Sequence, residues 1–130
     1  MKRTFLCAAL VMITAGIFSC NRDDNKSTAG KGGNATLSVV PKHHDVFKNL
    51  INCKVFIKYN ASDAPSFYDD SVSTVQISDE PTAVFTGLKT GKYYLYGTGF
   101  DTSIKQGVSG GAPYTISSET ALEVDLAVTE

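Results

Sequence analysis

Ile51-Asn52-Cys53-Lys54-Val55-Phe56-Ile57-Lys58-Tyr59 decides the fold class. Ile51, Cys53, Val55, Ile57 and Tyr59 recur at every second position, with Asn52, Lys54, Phe56 and Lys58 between them. A period of two places the two sets on opposite faces of an extended chain. The stretch therefore predicts a strand whose odd-numbered residues face a core and whose Phe56 points away from it. The alternation returns near the end of the chain, where Leu122, Val124, Leu126 and Val128 interleave with Glu123, Asp125 and Ala127. One buried face and one wet face is the pattern of an antiparallel sheet covered on one side.

Working outward from these two strands, the same period recurs and no 3.6-residue helical pattern persists. Leu37 and Val39 open a first strand. A polar loop from Asn60 to Asp70, broken by Pro65, follows the central one. Val75 and Ile77 mark another, Asp79-Glu80-Pro81 a turn, and Ala83 with Phe85 the next strand. Gly87 to Gly91 is a tight connection into Lys92–Phe100, and Ile104–Val108 and Tyr114–Ile116 flank Gly110-Gly111. About seven short strands separated by turn signals predict an all-β, antiparallel β-sandwich over residues 34–130, with a small closed barrel as the alternative.

The first twenty residues read differently. Lys2 and Arg3 precede an apolar run from Phe5 to Phe18, which is the plan of a secretory signal and is short for a membrane span. Ile17-Phe18-Ser19-Cys20 resembles the lipobox of bacterial lipoproteins: an aliphatic residue, any residue, a small residue, then cysteine. The resemblance implies cleavage after residue 19 and acylation of Cys20, so that 1–19 is a lipoprotein signal peptide. Residues 20–33, with no large apolar side chain after Cys20, form a lipidated, flexible tether. Arg22-Asp23-Asp24 resembles the acidic signal that sends some Gram-negative lipoproteins to the outer face of the outer membrane, which implies a surface-exposed, outer-membrane location. Of three cysteines, Cys7 leaves with the leader and Cys20 carries lipid, so Cys53 has no intrachain disulfide partner. Its place on the apolar face predicts a buried, inert thiol.

Two of the twelve basic residues lie in the leader and none of the thirteen acids does, which leaves the mature chain at a net charge of −3. Nothing here is the basic footprint of a nucleic-acid partner. Within the domain, Gly87-Leu88-Lys89-Thr90-Gly91-Lys92-Tyr93-Tyr94-Leu95 resembles the G-L-x-P-G-x-Y-x-L segment of transthyretin-like and carboxypeptidase-regulatory-like sandwiches, with Thr90 in place of the usual proline. The resemblance implies a transthyretin-like, broadly immunoglobulin-like architecture, with Tyr93 packed at a corner and bonded to backbone. The run Tyr93–Asp101 with Val108–Ile116 is also similar to small Gram-negative envelope lipoproteins. Neither resemblance implies catalysis, because the fold serves as scaffold, adhesin and carrier alike.

Five groups of residues draw attention. Phe56, Tyr94, Tyr96 and Phe100 fall on the outward parity of their strands, where clustered aromatics mark a binding surface or simply pair across strands. His43 and His44 with an acid are weak metal candidates, since neighbours on an extended chain point apart and a site would need carboxylates from the 60–70 loop. Asp69 and Asp70 lack the spacing of an EF-hand calcium loop. Asp70-Ser71-Val72 resembles a bacterial O-glycosylation site, and Gly107–Gly111 lacks the lysine and helix of a phosphate-binding loop. No Gly-x-Ser-x-Gly elbow is present, so no catalytic residue and no cofactor is expected. The expectation is a non-catalytic, lipid-anchored envelope interaction or structural module, reaching the membrane through its lipid and an envelope protein or glycan through its domain. The alternative is a small-ligand protein that binds carbohydrate or a divalent metal.

Overall fold

A computed structural model describes residues 28–130; the predicted signal peptide, Cys20 and the first part of the predicted tether lie outside them. Eight strands follow one another: β1 (Lys31–His43), β2 (Leu50–Tyr59), β3 (Asp70–Ser73), β4 (Val75–Ile77), β5 (Glu80–Leu88), β6 (Gly91–Asp101), β7 (Gln106–Ile116) and β8 (Ala121–Val128). There is no helix among the described residues. One sheet has the order β4-β5-β1-β8 and the other β3-β2-β6-β7, and the two pack face to face as a β-sandwich.

The core is the inward parity of these strands. Leu37 and Val39 of β1, Phe85 of β5 and Leu126 of β8 meet Val55 and Ile57 of β2, Tyr93 and Leu95 of β6 and Ile116 of β7. A second cluster of Leu50, Cys53, Val108 and Val128 closes one end. Cys53 is buried there as its parity predicted, and burial pushes its thiol pKa up.

Several details depart from the sequence expectation. Strand β8 lies parallel to β1, with Leu37 opposite Leu122 and His43 opposite Val128, whereas every other strand pair is antiparallel. The chain reaches β8 from β7 in the other sheet, and such a crossover brings it in alongside β1 in the same direction. The two fragments around Gly110-Gly111 form one strand, β7, paired with β6 along its whole length. The turn before β5 is Ser78-Asp79, both with positive φ (50° and 68°), the two-residue I′ hairpin that joins tightly twisted strands. Glu80 and Pro81 already belong to β5, and Pro81 needs no donor at the strand's start.

Ile51 does not face the core. Asn52 adopts φ 53°, and a bulge between Ile51 and Lys54 inserts one extra residue opposite β6. The bulge reverses parity, so Leu50 turns inward while Ile51 is 46 % exposed beside Phe100.

The start of the domain also moves. Ala29 and Gly30, predicted to belong to the tether, are buried, and β1 begins at Lys31 rather than after residue 33. The Ala29 amide donates to Asn60 Oδ1 at 2.9 Å, and the Lys89 amide donates to the Gly30 carbonyl at 2.9 Å. These small residues carry no apolar signal in the sequence because the fold buries their backbone. At Gly91, whose φ is +145°, a Cβ would come within 2.9 Å of Ala29, so this close approach needs glycine. Tyr93 locks the junction: its hydroxyl accepts from the Gly30 amide at 2.9 Å and donates to the Lys89 carbonyl at 2.7 Å.

Candidate functional site

Two places on the sandwich gather chemistry. The first is the outer face of the β3-β2-β6-β7 sheet. Residues directly opposite one another on paired strands share a face, so Phe56 of β2 sits beside Tyr96 of β6, and Lys58 beside Tyr94. The Phe56 and Tyr96 rings lie 6.2 Å apart between centroids. Tyr68, from the loop before β3, completes the group, stacked on Tyr96 at 5.7 Å and tilted against Phe56 at 5.5 Å. Burial raises the Tyr68 phenol pKa, and Tyr94 and Tyr96 beside it add to the rise. All four rings are half-buried.

The neighbouring strand explains the placement of Tyr94. Across from Tyr94, Tyr96, Thr98 and Phe100, β7 presents Pro113, Gly111, Ser109 and Gly107. A Cβ at Gly111 would sit 2.7 Å from the Tyr94 ring, so that ring covers bare backbone. An aromatic laid over a strand glycine restores the packing a side chain would have given. Phe100 stays apart from the cluster, 37 % exposed and opposite Ile51. Of the four aromatics picked from parity, Phe56 and Tyr96 come into ring contact, Tyr94 lies beside them over Gly111, Phe100 does not join them, and Tyr68 was missed. Its Phe67-Tyr68 pair inside an otherwise polar loop was the available signal.

A shallow groove of about 420 Å³ runs along this face, lined by Phe56, Tyr68, Asp69, Asp70 and Ser71. Asp69 and Asp70 therefore belong to the aromatic face and not to the histidines. Asp69 accepts from the Tyr59 amide at 2.7 Å and from Lys58 Nζ at 3.1 Å. Burial alone would push its carboxyl up, but these two donors hold its pKa below the usual range. Asp70 accepts from the Ser71 amide and stands 3.5 Å from Lys31 Nζ. Lys58 also lies over the exposed Phe67 ring, 3.7 Å from its centroid.

The second place is the end of the sandwich where β1, β6 and β8 finish. His43 is the last residue of β1 and is 4 % exposed. It exchanges two backbone bonds with Val46, so His44-Asp45 forms a tight turn with φ 48° and 61°. Neighbours on an extended chain point apart, but this left-handed turn brings the two imidazoles to one side, with ring centroids 4.2 Å apart. The expected carboxylates of the 60–70 loop are not what they meet. His43 Nδ1 lies 2.7 Å from Asp101 Oδ2, and His43 Nε2 lies 2.6 Å from Glu130 Oε2. His44 Nε2 is 3.9 Å from the same Glu130 oxygen.

Each partner is placed by the fold. Asp101 ends β6 with inward parity, opposite to its neighbour Phe100, and its other oxygen accepts from the Ser103 amide and hydroxyl. Ser103, then His43, hold the Asp101 carboxyl down at about 2, while Asp101, then Glu130, raise the His43 imidazole. Glu130 follows Thr129, which exchanges two 2.8 Å backbone bonds with Ser109 of β7. Parity would have pointed Asp101 inward, but only the closed sandwich brings β1, β6 and β8 to one end.

Compared with known families, curated proteins and solved structures, the chain gave no match.

Proposed function

We propose that this chain is a non-catalytic binding module of the cell envelope, held at the membrane by lipid on Cys20, and that the aromatic outer face of its second sheet takes a saccharide. The observation that carries this reading is the mutual contact of the Phe56, Tyr68 and Tyr96 rings beside a groove edged by Asp69, Asp70 and Ser71. Apolar ring surface with a few convergent polar groups is the chemistry of a small-ligand site. A sugar offers both complements: flat C–H faces for the rings, and hydroxyls that donate to carboxylates and accept from Ser71 or Lys58.

The test is a titration of envelope oligosaccharides into the isotope-labelled protein, followed by NMR. Shifts should concentrate on Phe56, Tyr68, Tyr96 and Ser71, and Tyr96→Ala should weaken binding by about tenfold, the equivalent of one lost stacking contact. Binding that ignores both Tyr96→Ala and Phe56→Ala would remove this face from the function. A protein partner lost on the same substitutions would keep the surface and replace the ligand class.

A further inference from the structure

We propose that His43, His44 and Glu130 form a transition-metal site of the zinc-binding type, with Asp101 as the positioning residue behind His43. One nitrogen from each imidazole and one Glu130 oxygen lie within 4.8 Å of one another. Two imidazole nitrogens and one carboxylate oxygen make up a zinc donor set that leaves a fourth position open. Imidazole donors favour zinc, copper or nickel over magnesium and calcium, which take oxygen ligands.

The arrangement behind His43 supports the reading independently. A metal-bound histidine commonly donates its second ring N–H to a carboxylate, which fixes the tautomer and aims the free nitrogen. Asp101, buried and clamped by Ser103, occupies that place 2.7 Å from Nδ1. Nε2 is thereby left facing Glu130 and His44.

The two distances to Glu130 need little change. Around a tetrahedral zinc with bonds of about 2.0–2.1 Å, ligand atoms stand roughly 3.3 Å apart. The His43–Glu130 pair, now 2.6 Å apart, has to open by less than an ångström as the ion replaces the shared proton. The His44–Glu130 pair, at 3.9 Å, has to close by about half an ångström. The side chains that must move are the exposed ones, His44 at 75 % exposure and Glu130 at 50 %, while the buried His43 stays fixed. The site lies at a different place from the aromatic face and does not depend on the saccharide reading.

The experiment is calorimetric titration of zinc into the full chain, produced without a histidine tag and with its accessible thiols alkylated. Binding at one ion per chain is expected, with a Kd below about 0.1 mM, and no comparable binding of magnesium. His44→Ala and Glu130→Gln change exposed side chains, so both variants should fold. Each should weaken zinc by at least about tenfold, and Asp101→Asn by roughly 10–100-fold. Bound cobalt should show the visible absorption of a tetrahedral site and lose it in His44→Ala. Absence of saturable zinc binding up to about millimolar, or binding that either His44→Ala or Glu130→Gln leaves unchanged, overturns the proposal.

Discussion

At the scale of the residue, two side chains hold the ends of the sandwich together. The Tyr93 hydroxyl sits in the core, where it takes the Gly30 amide proton and gives its own to the Lys89 carbonyl. Tyr93→Phe keeps the ring and removes both bonds, leaving a buried amide without a partner. Such a loss costs about 1–3 kcal/mol, and for a domain of this size that lowers Tm by roughly 5–15 °C. Thermal unfolding followed by circular dichroism gives the answer directly; a Tm within a degree or two of wild type would show that water satisfies Gly30 equally well. At the other end, His43 stands between Asp101 and Glu130. Its folded pKa lies above the usual value, so its contribution to stability is complete below about pH 6.5 and disappears as pH rises through the folded pKa. Asp101 has the opposite sign: held down at about 2, it contributes above the ordinary carboxylate range and loses that contribution as pH falls toward 2. Tm should therefore be highest between about pH 4 and 6.5 and decline on both sides. His43→Gln should flatten the alkaline decline and leave the acid one governed by the remaining carboxylates. An equal alkaline slope in the two proteins would assign that decline to other groups.

At the scale of the element, what the sequence reveals depends on where the signal resides. Val55, Ile57, Phe85, Leu126 and Val128 are buried as their alternation predicts, because side-chain parity is a local property of an extended chain. The readings that failed concern backbone. One positive φ at Asn52 shifts register by a residue and turns Ile51 out, yet asparagine there looks like any polar outward position. Positive φ at His44 and Asp45 puts two histidines side by side where an extended reading sends them apart. Gly110 and Gly111 look like a break between strands, but they are the flat part of β7: a Cβ on Gly110 would stand 2.4 Å from the Ala127 carbonyl, and one on Gly111 would meet the Tyr94 ring. Val75 and Ile77 show correct alternation and still bury nothing, since β4 is a three-residue edge strand. The aromatic face was half legible for the same reason: strand residues follow parity, whereas Tyr68 arrives from a loop. Asp101 and Glu130, each remote in sequence from His43, required the three-dimensional fold.

At the scale of the whole molecule, β1 separates the start of the described fold from the His43–Glu130 end. The described fold begins beside Ala29, against Gly91 and Asn60, and β1 then runs thirteen residues to His43, up to roughly 40 Å away. If Cys20 carries the lipid, the eight residues between it and the domain's first buried residue span at most about 30 Å fully extended. On the proposal that Cys20 is the anchor, the Tyr93 corner is the end of the domain nearer to it along the chain, and the His43–Glu130 end is the farther one. The anchor is itself open to a direct test. Each buried methylene contributes about 0.8 kcal/mol, so two or three acyl chains hold a protein on a membrane where one does not. Cys20→Ser leaves the described domain untouched and removes the acceptor sulfur, so the protein should move from the membrane fraction to the soluble fraction at unchanged thermal stability. Retention of the variant in the membrane would place the anchor elsewhere, either in an uncleaved apolar segment from Phe5 to Phe18 or in a partner bound through the sandwich. These two differ in apparent mass, because an uncleaved leader adds the nineteen residues that precede Cys20.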